Sequence, residues 1–285
     1  MTTNSYYSPS FTARSARILI PILQRLLPNS VYVHVYEVLY NSYKWILRKT
    51  YLFEVFAARL FGDEQRKRRA EVTNLLLPYT MGGSKALENA FDLVVLVEEN
   101  KIPGVLLECG VAEGGTAAML ALANRELGER VRRLYLFDSF EGLPEPTIED
   151  FMDGQAGRFI RPLPKGSCLG TLEQVKELML KTLQFKESDV TFVKGWFQDT
   201  VPAFRQEFSE PIAVLRLDGD WYESTLIPLE NFYDLVSDGG VVIIDDYGTC
   251  YGSKKATDEF VSKNQLNVIL HPDGRGGAWF KKPAS

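Results

Sequence analysis

Two apolar segments of this sequence end in pairs of aspartates. The stretch "LRLDGDWYEST" follows the apolar residues "PIAV" and carries Asp218 and Asp220, while "GGVVIIDDYG" carries Asp245 and Asp246. A carboxylate at the end of a buried strand is costly unless it has a partner. Two strands that both end in acids therefore suggest that these side chains share one.

A single hard cation is the partner that this chemistry predicts. Asp218, Asp245 and Asp246 offer only oxygen ligands, which suit Mg²⁺ or Ca²⁺ rather than zinc. Such a cation can orient a substrate hydroxyl and lower its pKa, and Asp218 can accept the proton. The alternative is that each aspartate caps a following helix, which suits Asp220 because "DWYEST" begins a helical pattern.

A glycine-rich turn predicts a second site. In "LLECGVAEGGTAAMLA", Gly110 and the two glycines that follow allow a tight turn after a strand, although the spacing is not G-x-G-x-x-G. Asp138 ends the next strand, where a carboxylate can accept hydrogen bonds from ribose hydroxyls or cap a helix. Acidic residues such as Glu108 favour an amino group and a sulfonium over a pyrophosphate. These features indicate S-adenosylmethionine rather than NAD.

The elements that must position these residues alternate between strand and helix. Strands are predicted at 105–107, 134–137, 190–193, 212–217 and 241–244. Helices are predicted at about 115–127, 171–184, 199–208, 222–236 and 253–263. This alternation is typical of a parallel sheet, and "LNVILH" and "GAWFKK" around "PDGRGG" predict a final hairpin. The prediction is an α/β fold with a doubly wound seven-stranded sheet, which binds ligands at the carboxyl ends of its strands.

The N-terminal part of the chain has a different character. Residues 1–70 carry a net charge of +7 and the remainder −12. Helices are predicted near 19–27 and 38–47, in a helical extension over 1–84 that precedes a domain over 85–285. This extension either packs on the domain or on a second copy, giving a homo-oligomer, or rests on a membrane surface.

Composition narrows the class of protein. The 285 residues include 45% hydrophobic ones and have a net charge of −5, which disfavours nucleic acid as a partner. Three separated cysteines without a CxxC pair predict a reducing, cytoplasmic environment. The sequence predicts neither a signal peptide nor a membrane-spanning helix.

Six short motifs resemble those of the macrocin O-methyltransferase family of class I S-adenosylmethionine-dependent methyltransferases. In order they are "PYTMGG", "ECGVAEGG", "DSFEGLPEP", "GWFQDT", "LRLDGDWYEST" and "GGVVIIDDYG", within roughly residues 78–263. The resemblance implies a Rossmann-like fold, S-adenosylmethionine as donor and Mg²⁺ as cofactor. It implies Asp218, Asp245 and Asp246 as metal ligands, with Asp218 also the catalytic base.

The same resemblance implies a cofactor site and a class of acceptor. The implied cofactor residues are Thr80, Met81, Glu108, Gly110, Thr116, Asp138 and Trp196. The implied acceptor is a small hydroxylated molecule, either a sugar or a glycosylated natural product. Two alternatives are a catechol-type enzyme that methylates a small phenolic diol and a non-catalytic methyltransferase-like scaffold at a membrane surface.

Overall fold

The computed structural model describes residues 29–152 and 159–284. These residues form two compact units, which divide between Pro78 and Tyr79. The helix predicted near 19–27 lies outside the described residues. The domain boundary predicted after residue 84 stays a prediction.

From Asn29 onward, the first unit is a pair of helices, α1 (Asn29–Phe61) and α2 (Glu64–Leu76). Helix α1 extends well beyond the predicted 38–47. Tyr51 on one face of α1 packs with Ala70 and Leu77. Asp63 begins α2 by accepting a hydrogen bond from the backbone N of Arg66 at 3.0 Å.

Large apolar side chains also project from α1 into solvent. In the C-terminal half of α1, the apolar side chains that are at least half exposed are Trp45, Ile46, Leu52, Phe53, Phe56, Leu60 and Phe61. At 100° per residue, they lie mainly on the face opposite the one that packs on α2. Within the described residues, no helix is long and apolar enough to cross a membrane.

The second unit contains seven strands and six helices in the part of the chain that the structure describes. The strands are β1 (Val105–Cys109), β2 (Leu134–Asp138), β3 (Val190–Lys194), β4 (Ile212–Leu217), β5 (Val236–Ile244), β6 (His271–Pro272) and β7 (Ala278–Lys281). The helices are α3 (Ser84–Glu99), α4 (Gly115–Leu127), α5 (Leu172–Lys176, continued by a π-helical turn over Glu177–Thr182), α6 (Phe197–Arg205), α7 (Tyr222–Phe232) and α8 (Tyr251–Lys263).

These strands form one sheet in the order β3-β2-β1-β4-β5-β7-β6. Strands β1 to β5 are parallel, and β7 is antiparallel to both β5 and β6. The predicted seven-stranded, Rossmann-like α/β fold is therefore confirmed. The strand expected over "LNVILH" is wrong for most of its length, because Leu266, Val268 and Leu270 pack against the core without pairing.

The sheet order reverses between β1 and β4. Two predicted site residues follow these strands directly, Gly110 after β1 and Asp218 after β4. Hydrogen bonds continue past the strand ends, from Asp218 N to Cys109 O at 2.8 Å and from Asp245 N to Leu217 O at 2.9 Å. Gly110 leaves β1 with φ +93°, and a Cβ there would lie 1.9 Å from the backbone O of Asp218. Only glycine fits this close approach.

A buried arginine ties three of these strand ends together. Arg216 on β4 is the register partner of Glu108 on β1, and only 2% of the arginine is exposed. Its guanidinium donates to Oε1 of Glu108, to Oδ2 of Asp218 at 2.8 Å and to Oδ1 of Asp245 at 2.6 Å. Burial lowers the pKa of Arg216, but the charges of Asp218 and Glu108 outweigh it and raise that pKa above its ordinary value.

Substitution of Arg216 by lysine tests the importance of this cluster. A single ammonium cannot bond three carboxylates in the planar arrangement of a guanidinium, so buried charge is left uncompensated. We expect Arg216→Lys to lower the free energy of unfolding by about 3–5 kcal/mol. Urea denaturation followed by far-UV circular dichroism measures this loss.

Arg133→Lys is the matched control. The Arg133 side chain is 54% exposed and pairs with Glu210 at the surface. This variant should lose at most about 1 kcal/mol, because exposed ion pairs contribute little to stability. Equal losses in the two variants would contradict the role given to Arg216.

Candidate functional site

A cavity opens at the carboxyl edge of the sheet. Seven of the ten predicted site residues line it: Met81, Gly110, Asp138, Trp196, Asp218, Asp245 and Asp246. The glycine turn after β1, the residue that ends β2 and the acids that follow β4 and β5 therefore border one space. This is the edge at which doubly wound sheets bind their ligands.

Three predicted cofactor residues are not part of the cavity lining. Thr80 is buried, and its Oγ1 accepts a hydrogen bond from the backbone N of Gly82 at 3.1 Å. Glu108 is buried against Arg216, and Thr116 is buried in the first turn of α4. These positions support the loops around the cavity, while direct contact with a cofactor stays a prediction.

Asp138 organises the glycine turn. Its Oδ2 accepts hydrogen bonds from the backbone N of Val111 at 2.7 Å and of Ala112 at 3.1 Å. Its Oδ1 accepts one from the backbone N of Phe140 at 2.6 Å. Burial raises the pKa of Asp138, although the three amides act in the opposite direction. The helix-cap alternative for Asp138 is therefore wrong, and its carboxylate remains at the cavity wall.

The structure brings the predicted metal ligands together. One carboxylate oxygen from each of Asp218, Asp245 and Asp246 lies within 4.8 Å of the other two. Asp246 is buried, and its Oδ2 has no hydrogen-bond partner in the described part of the chain. Burial, and then the charges of Asp220 and Asp218, raise the pKa of Asp246 well above its ordinary value. The donor set and the crowding fit a hard divalent cation.

Asp220 does not cap the helix that follows it. Helix α7 begins after Trp221 without a side-chain cap from that residue, and the backbone N of Tyr222 instead donates to Oδ1 of Asp150 at 2.7 Å. Asp220 has φ +59° and accepts a hydrogen bond from Sγ of Cys250 at 3.5 Å. Burial, followed by the charge of Asp218, raises the pKa of Asp220 to about 7.

Two arginines at this site were not predicted from the sequence. Arg216 had a recognisable signal, because an arginine within the apolar run "IAVLRL" must find carboxylates when the strand is buried. Arg275 had none. It stands in the "PDGRGG" turn, which is ordinary for an exposed hairpin, yet its guanidinium pairs with Oδ2 of Asp245.

Comparison with known proteins identifies the family. The family model described as "Macrocin-O-methyltransferase (TylF)" matches residues 18–282, including much of the basic N-terminal segment. The demethyldecarbamoylnovobiocin O-methyltransferase of Streptomyces niveus is 36% identical over 205 residues, which cover 72% of this chain and 76% of the relative. The mycinamicin III 3''-O-methyltransferase of Micromonospora griseorubida is 30% identical over 239 residues, or 82% of this chain and 90% of the relative.

Solved structures give the same result. The O-methyltransferase NovP is 35% identical, with a TM-score of 0.61 over 72% of this chain and 83% of its own. The calicheamicin methyltransferase CalS11 shares the fold, with a TM-score of 0.55 over 99% of this chain and 96% of its own at 17% identity. The chain therefore belongs to the macrocin O-methyltransferase family and is an S-adenosylmethionine-dependent O-methyltransferase.

Proposed function

We propose that this enzyme methylates a hydroxyl group of a sugar or a glycosylated natural product, with Mg²⁺ held by Asp218, Asp245 and Asp246. The observation that carries the proposal is the cluster of three carboxylate oxygens within 4.8 Å of one another. The cluster borders the same cavity as Gly110 and Asp138. The name of a relative from Streptomyces olivaceus, 38% identical over 208 residues, specifies a rhamnosyl tetracenomycin that is methylated at its 4' oxygen.

Each wall of the cavity has a distinct task in this proposal. Gly110 and Asp138 hold the nucleoside part of S-adenosylmethionine, and Met81 and Trp196 cover it. Thr80, Glu108 and Thr116 support the loops that carry these contacts. Because sheet strands fix the positions of Gly110 and Asp218 against each other, the donor is held next to the acidic cluster.

Asp218 acts as the base. Arg216 holds its Oδ2 at 2.8 Å, which orients the carboxylate that takes the proton of the acceptor hydroxyl. Bound Mg²⁺ would supply Lewis-acid chemistry that favours loss of this proton. The acceptor oxygen then attacks the sulfonium methyl carbon in line, the carbon–sulfur bond breaks, and S-adenosylhomocysteine leaves.

Asp218→Asn tests the base and the metal site together. The amide keeps the shape and the contact with Arg216, so the fold and the binding of S-adenosylhomocysteine should be retained. We expect turnover to fall by about 10²–10⁴-fold, the usual contribution of a positioned base. Radiolabelled methyl transfer measures turnover, and isothermal titration calorimetry measures cofactor binding.

Glu129→Gln is the control for this substitution. Its side chain is 85% exposed and pairs with Lys101 at the surface, so turnover should not change. Unchanged turnover in Asp218→Asn would remove both assignments from Asp218.

A panel of acceptors distinguishes the proposed substrate class from a small phenolic diol, on which the same metal chemistry would operate. We expect methyl transfer to rhamnosylated natural products and none to catechol. Preferential methylation of catechol would reverse the substrate assignment.

Removal of the metal is a separate test, in which EDTA should abolish turnover until Mg²⁺ is restored. Turnover that is insensitive to EDTA would contradict the metal assignment.

The exposed face of α1 supports a proposal about assembly. Phe53 is 72% exposed and Phe56 63%, in an apolar face much larger than isolated surface residues provide. We propose that this face packs on a second copy of the chain, with contact to an anionic membrane as the alternative.

We propose the cytoplasm as the location of the enzyme, and its three free cysteines are consistent with that reducing compartment.

Charged substitutions on this face test the assembly. The double variant Phe53→Glu, Phe56→Glu should reduce the solution mass to that of a monomer in size-exclusion chromatography with light scattering. Ile269→Glu, on a side chain that is 73% exposed elsewhere, should leave the mass unchanged. A monomeric native protein that floats with phosphatidylserine vesicles at physiological salt would replace the oligomer with a membrane contact.

A further inference from the structure

Arg275 contacts the acidic cluster but takes no part in the mechanism described above. We infer that Arg275 competes with the divalent cation for Asp245 and thereby weakens cation binding at this site. The inference rests on the proposed metal site.

The backbone of the hairpin turn carries Arg275 to this position. Oδ1 of Asp273 accepts hydrogen bonds from the backbone N of Arg275 at 2.7 Å and of Gly276 at 2.8 Å. The backbone N of Gly248 donates to the O of Gly276 at 2.6 Å, which joins the turn to the segment after β5. A Cβ at Gly277 would lie 2.7 Å from the backbone O of Asp245. The turn is therefore held directly beside Asp245.

Both carboxylate oxygens of Asp245 are bonded to guanidinium groups. Oδ1 accepts a hydrogen bond from Arg216 at 2.6 Å, and Oδ2 pairs with Arg275. Arg275 also donates to the backbone O of Asp245 at 3.3 Å. A cation shared by Asp218, Asp245 and Asp246 needs an oxygen of Asp245. It therefore competes with one of these two guanidinium groups for that oxygen.

The exposure of the two arginine side chains determines which of them a cation can displace. The Arg216 side chain is 2% exposed and is fixed by three carboxylates, whereas the Arg275 side chain is 25% exposed and lines the cavity. Arg275 can turn toward solvent without unfolding the sheet, and Arg216 cannot. Arg275 is therefore the competitor, and Arg216 is a fixed part of the site.

The charges at the site lead to the same conclusion. Five carboxylates border the cavity, those of Asp138, Asp218, Asp220, Asp245 and Asp246, and Arg275 offsets part of their charge. A divalent cation at the cluster would lie close to this guanidinium, and the two like charges repel in a partly desolvated cavity. Removing the charge of Arg275 should thus favour the cation both by freeing an oxygen and by ending the repulsion.

Titration of Mn²⁺ and Mg²⁺ into the metal-free, full-length protein tests the inference without using activity. Arg275→Gln keeps much of the side-chain length and polarity but removes the charge. We expect it to tighten the dissociation constant for either ion by about tenfold or more in isothermal titration calorimetry. Arg275→Lys should bind the ions as weakly as the native protein, and so should Arg133→Gln, a surface control.

The outcomes separate this inference from the proposed function. Equal affinity of the native protein and Arg275→Gln would leave the metal site intact and overturn the competition. Weaker binding by Arg275→Gln would also overturn it, because Arg275 would then position Asp245 for the ion. If none of these proteins binds either ion, both the metal site and the inference fail.

Discussion

The buried ion cluster around Arg216 is the interaction on which the rest of the structure depends. One guanidinium bonds the carboxylates of Glu108, Asp218 and Asp245, which lie on or just after three neighbouring strands. Burying so many charges is favourable only when they are paired with good geometry. The cluster therefore fixes the ends of β1, β4 and β5 against one another, and these ends carry the proposed site.

The two halves of the cavity are joined through this fixed edge. Gly110 passes so close to the backbone of Asp218 that the glycine turn and Asp218 cannot move independently. Asp138 then holds the turn through the backbone N of Val111 and Ala112. In the proposed mechanism, a methyl donor on the turn and an acceptor at the acids would thus be held at a fixed separation, which is the main requirement for in-line transfer.

The sequence predicted the parts of this arrangement that follow from local pattern. Apolar runs that alternate with helical segments identified the sheet, and acids after those runs identified the strand ends that meet. Long-range partners could not be predicted in this way. The pairing of Arg275 with Asp245 depends on how β7 pairs with β5. At the start of α7, the backbone hydrogen bond is accepted by Asp150 rather than by the predicted Asp220, and Asp150 lies in a loop distant in sequence. The first strand of the final hairpin was predicted too long, because apolar residues can pack on a core without pairing.

The central claim is that Asp218, Asp245 and Asp246 hold one divalent ion beside the methyl donor. A crystal structure with S-adenosylhomocysteine and Mn²⁺, with data collected at the manganese absorption edge, tests it most directly. The account predicts one anomalous peak within coordination distance, about 2.1 Å, of an oxygen from each carboxylate, close to the sulfur atom of the bound product. A peak elsewhere, or carboxylates that remain bonded only to arginine at saturating Mn²⁺, would contradict the account.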